Sequence, residues 1–285
     1  MMMLVRAARA GDAEQVEALL SREDVDVNGL ADDRAALHSA ARNGHVGVAR
    51  LLLEKGANVN VVAVNGCTPL HVAARFGHVD FACLLLNEGA SIDAMTETGA
   101  TPLHFAANVR AVGQGHLDLL RLLLARGARV DAKNQSGTTP LHLAALRDRV
   151  GVARVLLASG AAIDSRNANG RTPLHTAVWA FASIDFVRSL LDHGAVSGAK
   201  DGGGRTPLHW AAHCGRMDVI DLLLARGAAI DAKTNDGWTP LHVAARMKQI
   251  NTTVSLLNRG ALITLAMNVV ECGGARRLPE SGSAD

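Results

Sequence analysis

The apolar residues of this chain recur in short helical patterns that are separated by glycines. One such segment begins with Thr68 and Pro69, and its apolar positions, Leu70, Ala73 and Ala74, are spaced as on one side of an α-helix. Threonine followed by proline favours a helix start, because the hydroxyl can cap a backbone N–H and proline loses no hydrogen bond at the first helical position. The pattern predicts a first helix that begins near Pro69.

A second apolar stretch follows the first one after a glycine turn. Gly77 permits a turn into Val79–Asn87, whose leucine run Leu84–Leu86 is expected to face inward, and Gly89 stops this helix. A short extended piece then leads to a tight turn of the Asn-Gly or Asp-Gly kind. The predicted unit is therefore turn, helix, turn, helix and extended exit.

This unit is repeated along the chain. The phrase Thr-Pro-Leu-His-x-Ala occurs six times, starting at Thr68, Thr101, Thr139, Thr172, Thr206 and Thr239, with a degraded copy at Arg34–His38. Successive motif histidines are 33, 33, 38, 33, 34 and 33 residues apart. A period of this length predicts a stack of supersecondary units, each burying its apolar side against its neighbours.

The motif and the helix-ending Gly-Ala pairs resemble those of ankyrin-repeat proteins over about residues 1–268. The resemblance implies an all-α ankyrin-repeat solenoid of helix-turn-helix units with short β-hairpin fingers. The expected units are residues 1–31 (an N-terminal capping repeat), 32–64, 65–97, 98–135 (with an insertion between its helices), 136–168, 169–202, 203–235 and 236–268 (the C-terminal repeat), followed by a flexible tail at 269–285.

Composition and charge give no indication of a nucleic-acid partner or a membrane-spanning helix. Lys+Arg 29 against Asp+Glu 27 leaves a net charge of +2, which gives no footprint for nucleic acid. The longest apolar stretch, 261–270, is about half the length of a membrane helix. The four cysteines lie far apart and the N-terminus has no secretory signal pattern, so we expect an intracellular protein of the cytoplasm or nucleus.

The motif histidines are the residues most suggestive of chemistry. Stacked helices lie about 8–10 Å apart, whereas zinc ligands each lie about 2 Å from one ion, so neighbouring motif histidines are not expected to share a metal. We expect each to be a hydrogen-bonding group that ties its helix to the adjacent repeat. His45, His78 and His116 are expected to have the same structural role. The sequence contains no nucleotide-binding or catalytic motif, so we predict a non-catalytic protein without cofactor or metal.

Ankyrin proteins bind partners through the finger tips and the exposed side of the first helices, which together form a concave face. Carried onto this sequence, that resemblance selects nine candidate partner-binding residues: Arg75, Phe76, Arg147, Arg171, Trp179, Arg205, His213, Trp238 and Arg246. Tryptophan and arginine are common binding anchors, and arginine outnumbers carboxylates at these positions. We therefore expect an adaptor or scaffold that is monomeric and binds a protein or peptide, in particular an acidic one.

Two other functions stay open at this point. One is a substrate-targeting subunit of an enzyme complex such as a ubiquitin ligase, and the other is a fragment of a larger ankyrin-containing enzyme or channel.

Departures from the repeat lead to three more expectations. Five extra residues within Asn108–Gly115 predict a longer loop between two helices. The glycine-rich segment 195–205 is expected to be the loosest joint of the stack. Polar residues from Asn251 to Ser255 predict a polar closing helix.

Overall fold

The computed structural model describes residues 2–22, 24–108 and 113–263, and these residues form sixteen α-helices and no β-strand. The chain divides into two compact units, Met1–Val196 and Ser197–Asp285. The helices of the first unit are α1 (Met2–Ala10), α2 (Ala13–Leu20), α3 (Ala36–Asn43), α4 (Val46–Glu54), α5 (Pro69–Phe76), α6 (Val79–Asn87), α7 (Pro102–Ala107), α8 (Gln114–Ala125), α9 (Pro140–Leu146), α10 (Val150–Ala158), α11 (Pro173–Trp179) and α12 (Ile184–Asp192). Those of the second unit are α13 (Pro207–Cys214), α14 (Met217–Ala225), α15 (Pro240–Arg246) and α16 (Ile250–Asn258).

Six first helices begin at the proline of the motif, as predicted. The expected threonine cap is present at Thr172 and Thr239, whose side chains accept from the N–H groups of His175 and His242. At Thr68 the hydroxyl lies 2.9 Å from Nδ1 of His71, and the backbone N–H donates to the same nitrogen at 3.1 Å. His71 thus takes the place that glutamate holds in a capping box. The reason is that Nδ1 is a nearby acceptor that needs donors of its own inside the protein.

The other ring nitrogen of His71 bonds to the next repeat. Nε2 lies 3.0 Å from the carbonyl oxygen of Ala100. Because a carbonyl only accepts, Nε2 carries the hydrogen and the ring is neutral, and burial lowers the pKa of His71 to about 4. The predicted structural role is confirmed here and at four further bonds of the same kind: His38 to Cys67, His104 to Thr138, His142 to Arg171 and His209 to Trp238.

Histidines at the starts of second helices point back to the preceding repeat. Nε2 of His78 lies 3.0 Å from the carbonyl oxygen of Arg42; His45 and His116 make the equivalent contacts with Arg9 and Arg75. The close approach of His78 needs a glycine at Gly44, where an added Cβ would lie 2.7 Å from Nδ1 of the ring.

The fingers are short turns. In the first, the N–H of Ala63 donates to the carbonyl of Cys67 at 2.9 Å, and Thr96 donates to Ala100 in the same way at 3.0 Å. In the part of the chain that the structure describes, the one β-type pairing is an isolated bridge between Ala31 and Arg34. The expected hairpin fingers are therefore turns closed by a backbone bond.

The expectation of a polar closing helix is met only in part, since Asn251 and Asn258 are exposed but aliphatic residues are exposed beside them. In α16, Thr252 is buried, whereas Ile250 and Val254 are exposed. The helical register turns Thr252 inward with Leu256, and turns Ile250 and Val254 outward.

Other departures are only partly covered by the structure. Residues 109–112 of the insertion at Asn108–Gly115, the predicted tail at 269–285 and Cys272 lie outside the described residues. The boundary between the two units follows Val196; the looseness of 195–205 stays a prediction.

Candidate protein-binding surface

We call the finger turns and the exposed C-terminal ends of the first helices the finger surface. In the first unit, the backbone of one finger bonds to the next: Glu97 N–H donates to Asn65 O at 3.2 Å, and Gln135 N–H donates to Thr98 O at 3.0 Å. In the second unit, Asn235 N–H donates to Gly203 O at 3.1 Å. Backbone bonds therefore fix the finger positions within each unit, whatever side chains the tips carry.

A residue at the base of a finger meets the side chain eight positions later, at the end of the first helix. The guanidinium of Arg171 lies 5.6 Å from the ring centre of Trp179. In the second unit, the guanidinium of Arg246 lies 5.2 Å from the ring centre of Trp238. The two pairs use the same positions with cation and ring exchanged, and all four residues are half-buried or exposed. The structure thus brings four of the predicted site residues together as two cation–π pairs.

Arg205 has a different aromatic partner, which the sequence analysis missed. Its guanidinium lies 5.2 Å from the ring centre of Trp210, at the variable position of the motif. Trp210 is buried, and its indole N–H donates to Asp201 at 3.0 Å. The available signal was a tryptophan at a position that holds Val72, Thr176 or Val243 in other repeats.

His213 completes this cluster. Its ring centre lies 5.7 Å from that of Trp210. Burial, and then the charge of Arg205, lower the pKa of His213 from its ordinary value. The histidine therefore adds a neutral, half-buried donor or acceptor beside the arginine at neutral pH.

Phe76 lies between two other side chains at the end of α5. The guanidinium of Arg42 is 5.4 Å from its ring centre, and the ring of His78 stacks at 6.4 Å. Arg42 was missed because its repeat has the degraded motif, although it occupies the same register as Arg75. Phe76 is exposed, in keeping with a contact position.

Arg75 and Arg147 have dissimilar surroundings. Arg75 is exposed at the end of α5. Arg147 is half-buried, and its Nε donates to the side-chain oxygen of Asn108 at 2.8 Å. Arg147 is thus engaged in joining two repeats, which leaves Arg75 as the more accessible cation of the two.

Charge on the finger surface differs between the units. The first has exposed carboxylates at Asp32, Asp33 and Glu97. In the second, Asp201 is buried and accepts backbone N–H groups of Gly203 and Arg205 at 2.9 Å, so its charge is used to hold the finger. Asp236 is an exposed carboxylate at a finger tip of the second unit.

The described residues offer neither a metal-binding cluster nor a membrane-spanning helix. Among residues 2–22, 24–108 and 113–263, no group of three His, Cys, Asp or Glu side chains is arranged to hold a metal ion. None of the helices described is both long and apolar enough to span a lipid bilayer.

Known proteins resemble parts or most of this chain. Cortactin-binding protein 2 of Rattus norvegicus is 41% identical over 68 residues, which are 24% of this chain and 4% of that protein. The protein of the same name from Plecturocebus moloch is 42% identical over 59 residues, 20% of this chain and 4% of its own length. The matched segment is thus a small part of these relatives.

A solved structure matches more of the chain. The ankyrin repeat domain of human ASB11 superposes with a TM-score of 0.69 at 32% identity, over 79% of this chain and 98% of that domain. The family model for ankyrin repeats (3 copies) matches residues 4–96, 63–133, 103–201 and 197–266. These matches confirm the predicted all-α ankyrin solenoid, a fold that indicates a protein–protein interaction module. The chain belongs to the ankyrin-repeat family.

Proposed function

We propose that this chain is a non-catalytic adaptor or scaffold that binds an acidic segment of a partner protein on its finger surface, with the main anchors in the second unit. The observation that carries the proposal is that two arginines of the second unit lie over tryptophan rings, Arg246 over Trp238 and Arg205 over Trp210.

These pairs favour carboxylate binding because they order the guanidinium before a partner arrives. Stacking on the ring face holds the plane of Arg246 while the N–H groups at its edge can form paired bonds to a carboxylate. An arginine that is already ordered loses less side-chain entropy on binding. Trp238 supplies apolar contact area beside the charge.

The fixed fingers support the same proposal. Asn235 is bonded to Gly203 through the backbone, and the Trp238 carbonyl accepts from His209, so the base of this finger does not depend on a partner for its position. Cys67, Cys83 and Cys214 are free thiols, in keeping with a protein of the cytoplasm or nucleus. A substrate-targeting subunit, or an ankyrin segment of a larger enzyme or channel, would use the same surface, and the identity of the captured partners separates these roles.

The test is affinity purification of the tagged full chain from cell extract, with quantitative mass spectrometry of bound proteins. We compare wild type with the Arg205→Glu, Arg246→Glu double variant and with Trp238→Ala. Arg154→Glu and Arg188→Glu, which reverse charges on exposed second-helix positions, form the matched control. We expect acidic partners to be lost from both finger-surface variants and kept by the control. Recovery of every partner at the wild-type level by the double variant, with its helical circular dichroism intact, would refute the proposal.

A further inference from the structure

The last helix of the second unit, α16, exposes a row of aliphatic side chains. Ile250 is 74% exposed, Val254 50% and Leu257 38%, and their spacing of four and three residues places them on one side of the helix. Beyond the helix, Leu262 and Ile263 are 60% and 84% exposed. Soluble proteins seldom leave such a contiguous apolar patch uncovered.

In the first unit, the residues in the register of Ile250 and Leu257 are less exposed than they are in α16. There the second helices pack in succession, α4 with α6, α6 with α8, and α8 with α10. The residues in the register of Ile250, Val46, Val79 and Val150, are half-buried. Those in the register of Leu257, namely Leu53, Leu86, Leu124 and Leu157, are half-buried as well. The exposed row on α16 therefore has the geometry of a surface that packs against another helix.

Val254 differs in chemistry from the residues that hold its register in other repeats. Its register holds the exposed residues Arg50 in α4, Arg121 in α8 and Arg154 in α10. An aliphatic residue here extends the apolar row into a position that elsewhere faces water with a charge. This substitution is not needed for the fold, since arginine occupies the same register in α4, α8, α10 and α12.

The helix also carries no charge at all. Its sequence is INTTVSLLN, whereas every other second helix contains at least one charged residue. A charged partner helix would be desolvated here without a counter-charge, which is unfavourable. An identical uncharged helix avoids that cost.

Going beyond partner binding on the finger surface, we propose that the Ile250–Val254–Leu257 row of α16 is a self-association surface that docks the same row of a second copy of this chain about a two-fold axis. Ile250 and Leu257 lie about 6 Å and about 4.5 Å from Val254 along the helix axis. In an antiparallel pair centred on Val254, Ile250 of one copy therefore meets Leu257 of the other. A patch that complements itself is what a two-fold dimer requires.

The surroundings of the row suit such a dimer. Asn251 and Asn258 flank it and can remain solvated at the edge. The charged residues next to the row lie beyond its two ends: Arg259, two residues after Leu257, is paired with Asp221 at 2.6 Å, and the exposed Lys248 lies two residues before Ile250. This proposal differs from the expectation of a monomer that the sequence alone provides.

Sedimentation equilibrium of the full chain tests the proposal, over a series from about 1 µM to about 1 mM that spans the dissociation constants of weak homodimers. We expect a reversible monomer–dimer equilibrium. Val254→Arg installs the residue found in that register in α8 and α10 and places two like charges at the axis, so dimerisation should weaken at least tenfold, by about 1.4 kcal/mol or more. Val196→Arg, the same change at another exposed valine, should leave the equilibrium unchanged.

Three results would overturn the proposal. The wild-type chain could have the mass of one copy throughout the series. The Val254→Arg chain could dimerise as well as wild type. A monomeric wild type whose shortened form, ending at Ile263, dimerises would show that the remainder of the chain covers the row instead. Partner capture on the finger surface is measured separately and does not depend on any of these results.

Discussion

Arg171 lies over the ring of Trp179 eight residues later in the sequence, at 5.6 Å, and Arg246 lies over Trp238 with the two roles exchanged. The separation of eight residues reflects the constant path from the base of a finger to the end of the first helix. A repeat can therefore place a cation and a ring together in either order. The cation–π contact therefore depends on these two positions of the repeat, and either position can carry the arginine.

The Trp238–Arg246 pair should be measurable as a coupling energy. We expect a double-mutant cycle with Trp238→Ala and Arg246→Ala, followed by urea unfolding, to give about 0.5–1 kcal/mol, as for partly exposed cation–π pairs. A parallel cycle with Trp238→Ala and Arg154→Ala, an exposed arginine of α10 that is not stacked on Trp238, should give no coupling. Equal values from the two cycles would mean that the stacking contributes nothing specific.

Stability should fall as the pH is lowered from about 6.5 to about 4. The pKa of His71 is lowered to about 4 in the folded protein, whereas an unfolded histidine titrates near about 6.5, so the unfolded chain binds the proton first. The stabilisation is therefore complete above the unfolded pKa and is lost on acidification, by about 3 kcal/mol for His71 alone. Burial shifts His38, His104, His142 and His209 in the same direction.

The urea midpoint between pH 7 and pH 5 checks this, in a range where most carboxylates are still ionised. A His71→Gln variant should show a shallower pH slope than wild type. An unchanged slope would show that the buried imidazole does not cause the acid sensitivity.

Gly44 should resist substitution more strongly than Gly56. Both have positive φ, +74° and +85°, but an added Cβ meets the His78 ring at Gly44 and meets nothing within 4 Å at Gly56. We expect Gly56→Ala to cost about 1 kcal/mol from backbone strain alone. Gly44→Ala should cost at least about 1 kcal/mol more, because it also displaces the ring that bonds to Arg42. Thermal unfolding of the two variants makes the comparison, and equal costs would contradict the steric argument.

Removal of the Asp201 carboxylate should destabilise the second unit. Asp201→Ala leaves the indole N–H of Trp210 and the backbone N–H groups of Gly203 and Arg205 without this acceptor. We expect a loss of about 2–4 kcal/mol in urea unfolding, in line with buried donors that lose a charged partner. Asp236→Ala, at an exposed tip of the next finger, is the control and should change stability by less than about 0.5 kcal/mol.

The helical units could be predicted from the sequence because their signals are local. Threonine and proline start six of the first helices, a glycine follows the end of each second helix from α4 to α16, and the interval between motif histidines counts the repeats. The structural role of His71 could also be predicted, since histidines that recur once in each repeat cannot all converge on one site. These features depend on neighbours within a few residues or on a strict period.

The burial of Trp210 and the exposure of the row on α16 could not be predicted from the local sequence. The variable position of the motif holds both Thr176 and Trp210, and only packing decides that Trp210 is buried beneath Arg205. Whether Ile250 is covered depends on a helix beyond α16, which local pattern does not reveal. Side-chain partners that lie across repeats, such as Asn108 for Arg147, escape the sequence for the same reason.

The hydrogen bond from His71 to the carbonyl of Ala100 gives the array a direction. Five motif imidazoles (His38, His71, His104, His142 and His209) donate to a carbonyl of the following finger, so such a repeat has a donor on one side and an acceptor on the other. A duplicated 33-residue repeat spliced between two others would thus meet an acceptor ahead and a donor behind without any new side chain. Lengthening or shortening of the chain by whole repeats is consequently open to evolution and to protein engineering, whereas reversal of a single repeat is not.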